Sequence, residues 1–249
     1  ANKRAFSFGR LAAHDPATIE RMLTDVHQGL HEPISQTLEE IIAKRTSYLT
    51  AYQNAGYAMR YTRALTEIKA AEQALQTGSS PVTEAVARYY HKVLAYKDEY
   101  EVARLYTDGS FIKELKSTFQ GDYTIKFNLA PPIMEQTDPA TGRPRKREFG
   151  AWMLPIFQLL AQLKGLRGTP FDIFGYHHER RAERQLIRDY EADIALVRET
   201  LSQKNIDSCV ELLSIPEQIR GYGPVKKSNL EQACIKRNAL RAALAKQSA

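Results

Sequence analysis

Residues 36–107 form a long amphipathic stretch, and a strong helix-ending signal interrupts it near its middle. In its first part, one stripe of mostly apolar side chains recurs at spacings of three and four residues, the period of an α-helix: Leu38, Ile41, Arg45, Tyr48, Tyr52, Ala55 and Met59. Gly78 then ends a helix, Ser80 is the next N-cap, and Pro81 starts a second helix. Because so short a turn places consecutive helices side by side, we predict a long antiparallel helical hairpin. Its first arm would be about 60 Å long.

The rest of the chain is also predicted to be mainly helical, with a small β element near 122–130. Apolar periodicity indicates further helices over 111–119, 149–163, 176–203, 205–214 and 225–246. The stretch 123–129 alternates between polar and apolar residues and is rich in β-formers. A lone strand is not stable, so we expect it to pair with another stretch, from this chain or from a neighbouring domain. The predicted fold class is therefore mainly α.

The domain organisation follows from where this periodicity begins. A length of 249 residues suits one large domain or two small ones. Residues 1–35 show no clean period apart from a short helix that Asp15 and Pro16 can open. We interpret 1–35 as a lead-in from a preceding domain and 36–249 as a single helical C-terminal domain. The chain begins with Ala1, so we expect a processed chain or a piece of a longer one.

Composition excludes several classes of protein. Two cysteines, Cys209 and Cys234, exclude an iron–sulfur cluster or zinc site made of four cysteines of this chain. So few cysteines favour a reducing compartment, and we predict the cytoplasm. No apolar run approaches the about 18 residues of a membrane span, so no membrane partner is expected.

The charge balance is only modestly basic. Lys and Arg number 35 against 29 Asp and Glu, a net charge of +6. An anionic partner or nucleotide explains this excess no better than a solvated surface does. Nucleic acid is not the expected partner, because nucleic-acid domains usually concentrate their charge more strongly.

Two groups of basic residues are the candidates for binding an anion or a partner. The first lies in the most polar loop: Arg143, Arg145, Lys146 and Arg147. Guanidinium groups bind phosphate and carboxylate through two hydrogen bonds, although a solvated surface turn is the favoured alternative. The second group lies before and along the predicted helix 176–203: Arg167, His177, Arg180, Arg181 and Arg184. A helix N-terminus there would favour anions, and a solvated stripe balanced by local ion pairs is an equal alternative.

Catalytic and metal motifs give no assignment. There is no P-loop, zinc-protease or nucleophile-elbow motif. His27 and His31 have metal-ligand spacing, but Gly29 and Pro33 break that helix and no third ligand is evident. We assign no catalytic and no metal-binding residue.

One further hypothesis is an active site of the domain's own. It would require residues far apart in sequence to converge: Asp98, Glu99, His177 and His178. For the two carboxylates, a charged helix surface or a buried ion pair is the favoured interpretation.

Nine of the thirteen tyrosines lie in the hairpin region: Tyr48, Tyr52, Tyr57, Tyr61, Tyr89, Tyr90, Tyr96, Tyr100 and Tyr106. Tyrosine combines a large apolar ring with a polar tip and is enriched at interfaces. We interpret the cluster as packing at an interface, which favours docking over catalysis.

Several strings resemble one known family. They are YKDEYEVARLY at 96–106, PRKREFG at 144–150, LRGT at 166–169, FGY at 174–176, ERR at 179–181 and IRG at 219–221. They are similar to the C-terminal region of the large fused indolepyruvate ferredoxin oxidoreductases, and the opening 2–10 resembles the end of the domain before it. The resemblance covers nearly the whole chain. It departs at Ala151, Tyr222 and Pro224, where the family tends to have Pro, Phe and His.

The resemblance implies an accessory role. The chain would be a C-terminal docking domain whose parent decarboxylates arylpyruvates oxidatively and passes electrons to ferredoxin. Thiamine diphosphate, iron–sulfur clusters and coenzyme A are implied for the parent and none for this segment, so the isolated domain is not expected to be catalytic. The implied partners are other domains or subunits of the parent, with ferredoxin or the phosphates of coenzyme A facing the basic residues. The alternative is a stand-alone basic helical module that binds nucleic acid or protein.

Overall fold

The computed structural model describes residues 2–20, 37–119, 121–130, 145–221 and 223–247. The chain is mainly helical with one small two-stranded sheet, which confirms the predicted fold class. It divides into two compact units, 1–40 and 41–249. The predicted domain boundary near residue 35 stays a prediction.

The first unit contains helix α1, Asn2–His14, and a helical segment over 16–20. The carboxylate of Asp15 accepts hydrogen bonds from the backbone N–H and the hydroxyl of Thr18, at 3.1 and 2.6 Å. Asp15 therefore caps the second segment, as predicted. Helix α1 was not predicted from the sequence. Most of its described side chains are exposed, so its residues show no apolar stripe. His27 and His31 lie outside the described residues.

Four helices form the predicted hairpin region: α2 Leu38–Tyr52, α3 Ala55–Gln73, α4 Pro81–Leu94 and α5 Glu99–Thr107. Helices α3 and α4 pack against each other across the predicted turn, where Gly78 has a φ of 74°. The first arm is not one continuous helix of 60 Å, because Asn54 interrupts it and accepts a hydrogen bond from the N–H of Tyr57. Asp98 interrupts the second arm in the same way, through the N–H of Glu101. Both are cap residues whose side chains replace a helical backbone partner.

The β element pairs within the chain. Strand β1, Lys126–Leu129, is antiparallel to β2, Arg147–Gly150. Helix α6, Ser110–Thr118, precedes the sheet, and α7, Met153–Gln162, follows it. The predicted helix start at residue 149 was wrong, because Phe149 pairs with Phe127 in the sheet. A small core surrounds Phe127, with Ala103, Met153 and Phe157 also buried.

A second core lies where α3 and α4 meet the C-terminal helices. These are α8 His178–Thr200, α9 Ile206–Leu213 and α10 Gly223–Gln247, with 3₁₀ turns at Leu163–Leu166 and Ile215–Glu217. The ring of Tyr90 stacks on that of Tyr190 at 5.6 Å between α4 and α8. Asp193 on α8 forms ion pairs with Arg237 and Arg241 of α10, and these pairs hold α10 against α8.

No helix in the described ranges is both long and apolar enough to cross a membrane.

The hairpin tyrosines belong mainly to the core. The hydroxyls of Tyr52, Tyr57 and Tyr61 donate to backbone carbonyl oxygens at 2.8–2.9 Å. Among the buried ones are Tyr52, Tyr61, Tyr90, Tyr96 and Tyr100. The interpretation of this cluster as an external docking surface was therefore wrong, since these rings fill the interior and their polar tips find partners there.

His91 is a buried base inside this tyrosine cluster. Its ring centroid lies 5.1 Å from that of Tyr48 and 6.5 Å from that of Tyr61, and its Nε2 is buried with no hydrogen-bond partner in the described structure. Burial, together with the smaller effect of the charge of Arg45, lowers the pKa of His91 from 6.5 to about 4. The folded protein therefore favours the neutral ring.

We expect acid to destabilise the protein through His91. Below pH 6.5 the unfolded chain takes up the proton first, so this contribution is lost as the pH falls from 6.5 towards 4, up to about 3 kcal/mol. The check is urea unfolding at several pH values. His91→Phe should flatten the pH dependence between 4 and 6.5. The control His14→Phe, at an exposed position, should leave it unchanged. Equal slopes for the wild type and His91→Phe would contradict the prediction.

Candidate functional site

Six charged residues from three parts of the chain meet in one ionic cluster. They come from the start of α5, from the loop before α8 and from the first turns of α8: Asp98, Glu99, Arg167, Asp172, Arg180 and Arg184. Loop 168–177 lies between Arg167 and Arg184 in the chain. The cluster joins the hairpin to α8, so its geometry decides how this loop is held.

Asp98 and Arg167 form a buried ion pair at its centre. Each side chain is only 3% exposed, and two hydrogen bonds of 2.6 and 2.9 Å join the guanidinium to the carboxylate. Arg167 also donates to the carbonyl oxygen of Tyr52 at 2.8 Å and lies 3.7 Å from the centroid of its ring. Burial acts to lower the pKa of Arg167, but the hydrogen bond and charge of Asp98 outweigh it and raise the pKa. An external anion would have to displace Asp98 to reach Arg167.

Asp172 holds loop 168–177 from within. Its buried carboxylate accepts hydrogen bonds from the backbone N–H groups of Gly168 and Gly175 at 2.8 and 3.0 Å. The hydroxyl of Tyr100 donates to it at 3.3 Å, and a nitrogen of Arg184 lies 3.8 Å away. A Cβ on Gly175 would lie 2.5 Å from Asp172 Oδ2, so this close approach requires glycine.

The same loop directs apolar side chains outward. Phe171, Ile173 and Tyr176 are 76%, 65% and 59% exposed, while Asp172 and Phe174 between them are buried. The buried carboxylate of Asp172 lies between the two exposed side chains of Phe171 and Ile173. The cluster therefore holds an otherwise irregular loop in one conformation with apolar residues facing solvent.

Glu99 and Arg180 form the loosest pair of the cluster. Arg180 Nη2 donates a long hydrogen bond to Glu99 Oε1 at 3.5 Å, whereas the buried atoms Glu99 Oε2 and Arg180 Nε lie 3.4 Å apart and make no hydrogen bond in the described structure. Burial raises the pKa of Glu99, and the charge of Arg180 only partly opposes this. A carboxyl group in such surroundings is suited to proton transfer, but its described partner is another side chain of the same domain.

The structure brings together some of the predicted binding residues and separates others. Arg180 joins the ionic cluster with Arg167, and Arg184 donates to the carbonyl oxygen of Gly175. Arg181 is exposed, and His177 precedes α8 with its ring 4.4 Å from that of His178. Arg145, Lys146 and Arg147, here called the basic segment, are exposed and form no ion pair with a described residue. Arg143 lies outside the described residues.

The four residues of the hypothetical active site, Asp98, Glu99, His177 and His178, are arranged differently in the structure. The two carboxylates form ion pairs with Arg167 and Arg180, as the favoured interpretation predicted, and His178 is exposed. Sequence analysis missed Asp172, although a single carboxylate between apolar residues and two glycines is a usable signal.

An open groove between α3 and α8 also contains arginines. Arg60 binds Glu191 at 2.7 Å, and Arg63 and Arg198 both bind Glu67, at 3.0 and 2.6 Å. All three guanidinium groups are thus paired at the surface, where such pairs contribute at most about 1 kcal/mol. The groove gives no separate indication of a ligand.

A second exposed apolar surface lies along α7 and the residues that cap its two ends. Four large side chains at spacings of four, three and four residues form what we call the α7 face: Trp152, Ile156, Leu159 and Leu163. Between Glu148 and Asp172 the chain contains no acidic residue. Glu148, which pairs with Lys126, separates this stretch from the basic segment, so apolar and basic residues lie close together in the chain.

Fold and site together define a helical domain in which an internal ionic cluster holds loop 168–177. Among the described residues no group of three histidine, cysteine or acidic side chains could bind a metal ion. The chain belongs to DUF6537, a family of unknown function, whose family model matches residues 38–239. No curated protein and no solved structure matches it.

Proposed function

We propose that this chain is the C-terminal docking domain of a 2-oxoacid ferredoxin oxidoreductase. The parent would decarboxylate arylpyruvates such as indolepyruvate oxidatively and pass the electrons to ferredoxin in the cytoplasm. One observation carries the proposal: three of the strings that resemble this family supply four of the six residues of the ionic cluster. The string 96–106 supplies Asp98 and Glu99, and 166–169 and 179–181 supply Arg167 and Arg180.

This convergence supports a docking role more than a catalytic one. The ion pairs of the cluster are internal to the domain, and what they hold is a loop with three exposed apolar side chains. A loop already fixed in its bound conformation loses little entropy on association, which favours binding. Thiamine diphosphate, iron–sulfur clusters and coenzyme A would then bind in other parts of the parent.

The test is to isolate the native polypeptide that contains this sequence, by a tag on its gene, and to assay it anaerobically. We expect a chain far above 28.3 kDa that reduces a viologen dye with indolepyruvate and coenzyme A. A native chain near 28.3 kDa that carries no such activity, alone or with its co-purified subunits, would overturn the proposal.

The role of the basic segment in that enzyme can be tested separately. Arg145→Ala combined with Arg147→Ala should raise the KM for ferredoxin or for coenzyme A, because both ligands are anionic. Unchanged kinetics for both would remove the basic segment from ligand binding and leave the docking role to the apolar surfaces.

The alternative function is a stand-alone basic module that binds nucleic acid. The exposed basic segment and the acid-free stretch that follows it favour this alternative. Binding to arbitrary duplex DNA should then weaken steeply as salt is raised. No retention on heparin at moderate salt would exclude it.

A further inference from the structure

The α7 face is the uncovered side of a helix whose other side is already packed. Met153 and Phe157 are buried in the small core around Phe127. On the opposite side, Trp152 and Leu159 are 61% and 58% exposed. Contiguous apolar surface of this kind usually marks an interaction site on a protein.

The size of this surface limits the kind of complex. Its four residues together expose about 400 Å², judged from their exposed fractions and typical residue areas. A standard protein–protein interface buries about 800 Å² on each partner. The α7 face is thus too small for a permanent interface by itself, and it suits a reversible complex in which charge contributes.

The charges at its ends exclude pairing with a second copy. The basic segment, Arg145 to Arg147, precedes the face, and Lys164 follows it. If two copies paired through antiparallel α7 helices, the basic segment of one would meet Lys164 of the other. If they paired in parallel, the two basic segments would meet. Either arrangement places like charges together, which is unfavourable.

From these observations we propose that the α7 face and the basic segment together bind a separate acidic protein, reversibly. The contact surface of that protein has an apolar centre that receives Trp152 and a rim of carboxylates that faces the basic segment. Opposite charges speed the encounter, and burial of Trp152 and Leu159 supplies affinity. This inference rests on the proposed docking role and specifies its partner.

The experiment is photo-crosslinking in the source cell with the full native polypeptide. A photoreactive phenylalanine analogue replaces Ile156, and the matched control carries it at Ile235, which is 72% exposed on α10. We expect Ile156 to give an adduct with one other protein, through a peptide in which apolar residues are flanked by Asp and Glu. The position Ile235 should not give that adduct.

Charge reversal gives the second arm. Arg145→Glu, Lys146→Glu and Arg147→Glu together should lower the adduct yield at Ile156 by about tenfold or more. The control set reverses the same number of exposed charges elsewhere, through Arg188→Glu, Lys204→Glu and Lys246→Glu. It should leave the yield unchanged. Circular dichroism verifies that each variant is folded.

Four results would overturn the inference: an adduct with lipid, an adduct with a second copy, equal yields at Ile156 and Ile235, or no effect of charge reversal.

Trp152 is the only tryptophan of the chain, so its emission tests the lipid case directly. A blue shift with vesicles that contain phosphatidylglycerol, and none without it, would make the face a membrane surface. If an acidic protein is crosslinked but the polypeptide has no 2-oxoacid activity, the binding surface stands and the proposed function fails. If the polypeptide has that activity but gives no such adduct, the proposed function stands and the binding surface fails.

Discussion

Asp98→Ala is expected to lower the free energy of unfolding by about 3–5 kcal/mol, the usual cost of removing one partner from a buried ion pair. The substitution leaves the guanidinium of Arg167 uncompensated, in a position where its side chain is 3% exposed. It also removes the acceptor for the N–H of Glu101, so helix α5 loses its N-cap. Urea unfolding followed by circular dichroism measures the loss.

A double-mutant cycle separates the ion pair from the cap. Arg167→Met alone should also destabilise, because it leaves a buried carboxylate. The double variant Asp98→Ala/Arg167→Met should lose less than the sum of the two single losses, since neither charge is then left alone. Glu84→Ala breaks an exposed pair with Arg88 and should cost less than about 1 kcal/mol. A loss for Asp98→Ala no greater than that of Glu84→Ala would contradict the prediction.

Glu72→Ala should cost about 2–4 kcal/mol of unfolding free energy, because Glu72 of α3 caps the neighbouring helix. Its buried carboxylate accepts hydrogen bonds from the N–H groups of Val82 and Thr83 at 2.7 and 2.8 Å, and from the Thr83 hydroxyl at 2.6 Å. Ser80, the N-cap residue of α4, makes no capping hydrogen bond with its side chain. Removing Glu72 leaves buried donors without partners at a helix end that favours negative charge.

The matched control is Glu67→Ala, five residues earlier on α3. Among the described residues Glu67 pairs with the surface residues Arg63 and Arg198, so its removal should cost about 1 kcal/mol or less. Thermal unfolding of the two variants beside the wild type provides the measurement. Equal stabilities of Glu72→Ala and Glu67→Ala would show that the α4 N-terminus does not depend on this carboxylate.

Helix starts and stops were predictable where the sequence has strong local signals. Gly78, Ser80 and Pro81 determine the turn of the hairpin, because each acts on its own backbone or on the next few residues. Asn54 and Asp98 are local signals of the same kind, but the stripe of apolar residues continues past them. The periodicity therefore concealed two helix breaks that the cap residues themselves would have revealed.

The sequence by itself determined the mainly helical class, the hairpin turn and the alternating strand, because these depend on residues a few positions apart. Only the tertiary structure decided that the tyrosines face inward, that Arg167 meets Asp98, and that Phe149 lies in a strand. Arg167 and Asp98 are 69 residues apart, and an arginine in a sequence does not indicate whether a carboxylate or water will be its partner. The pairing is selected by burial, because a charged group removed from water must find its opposite within the same core.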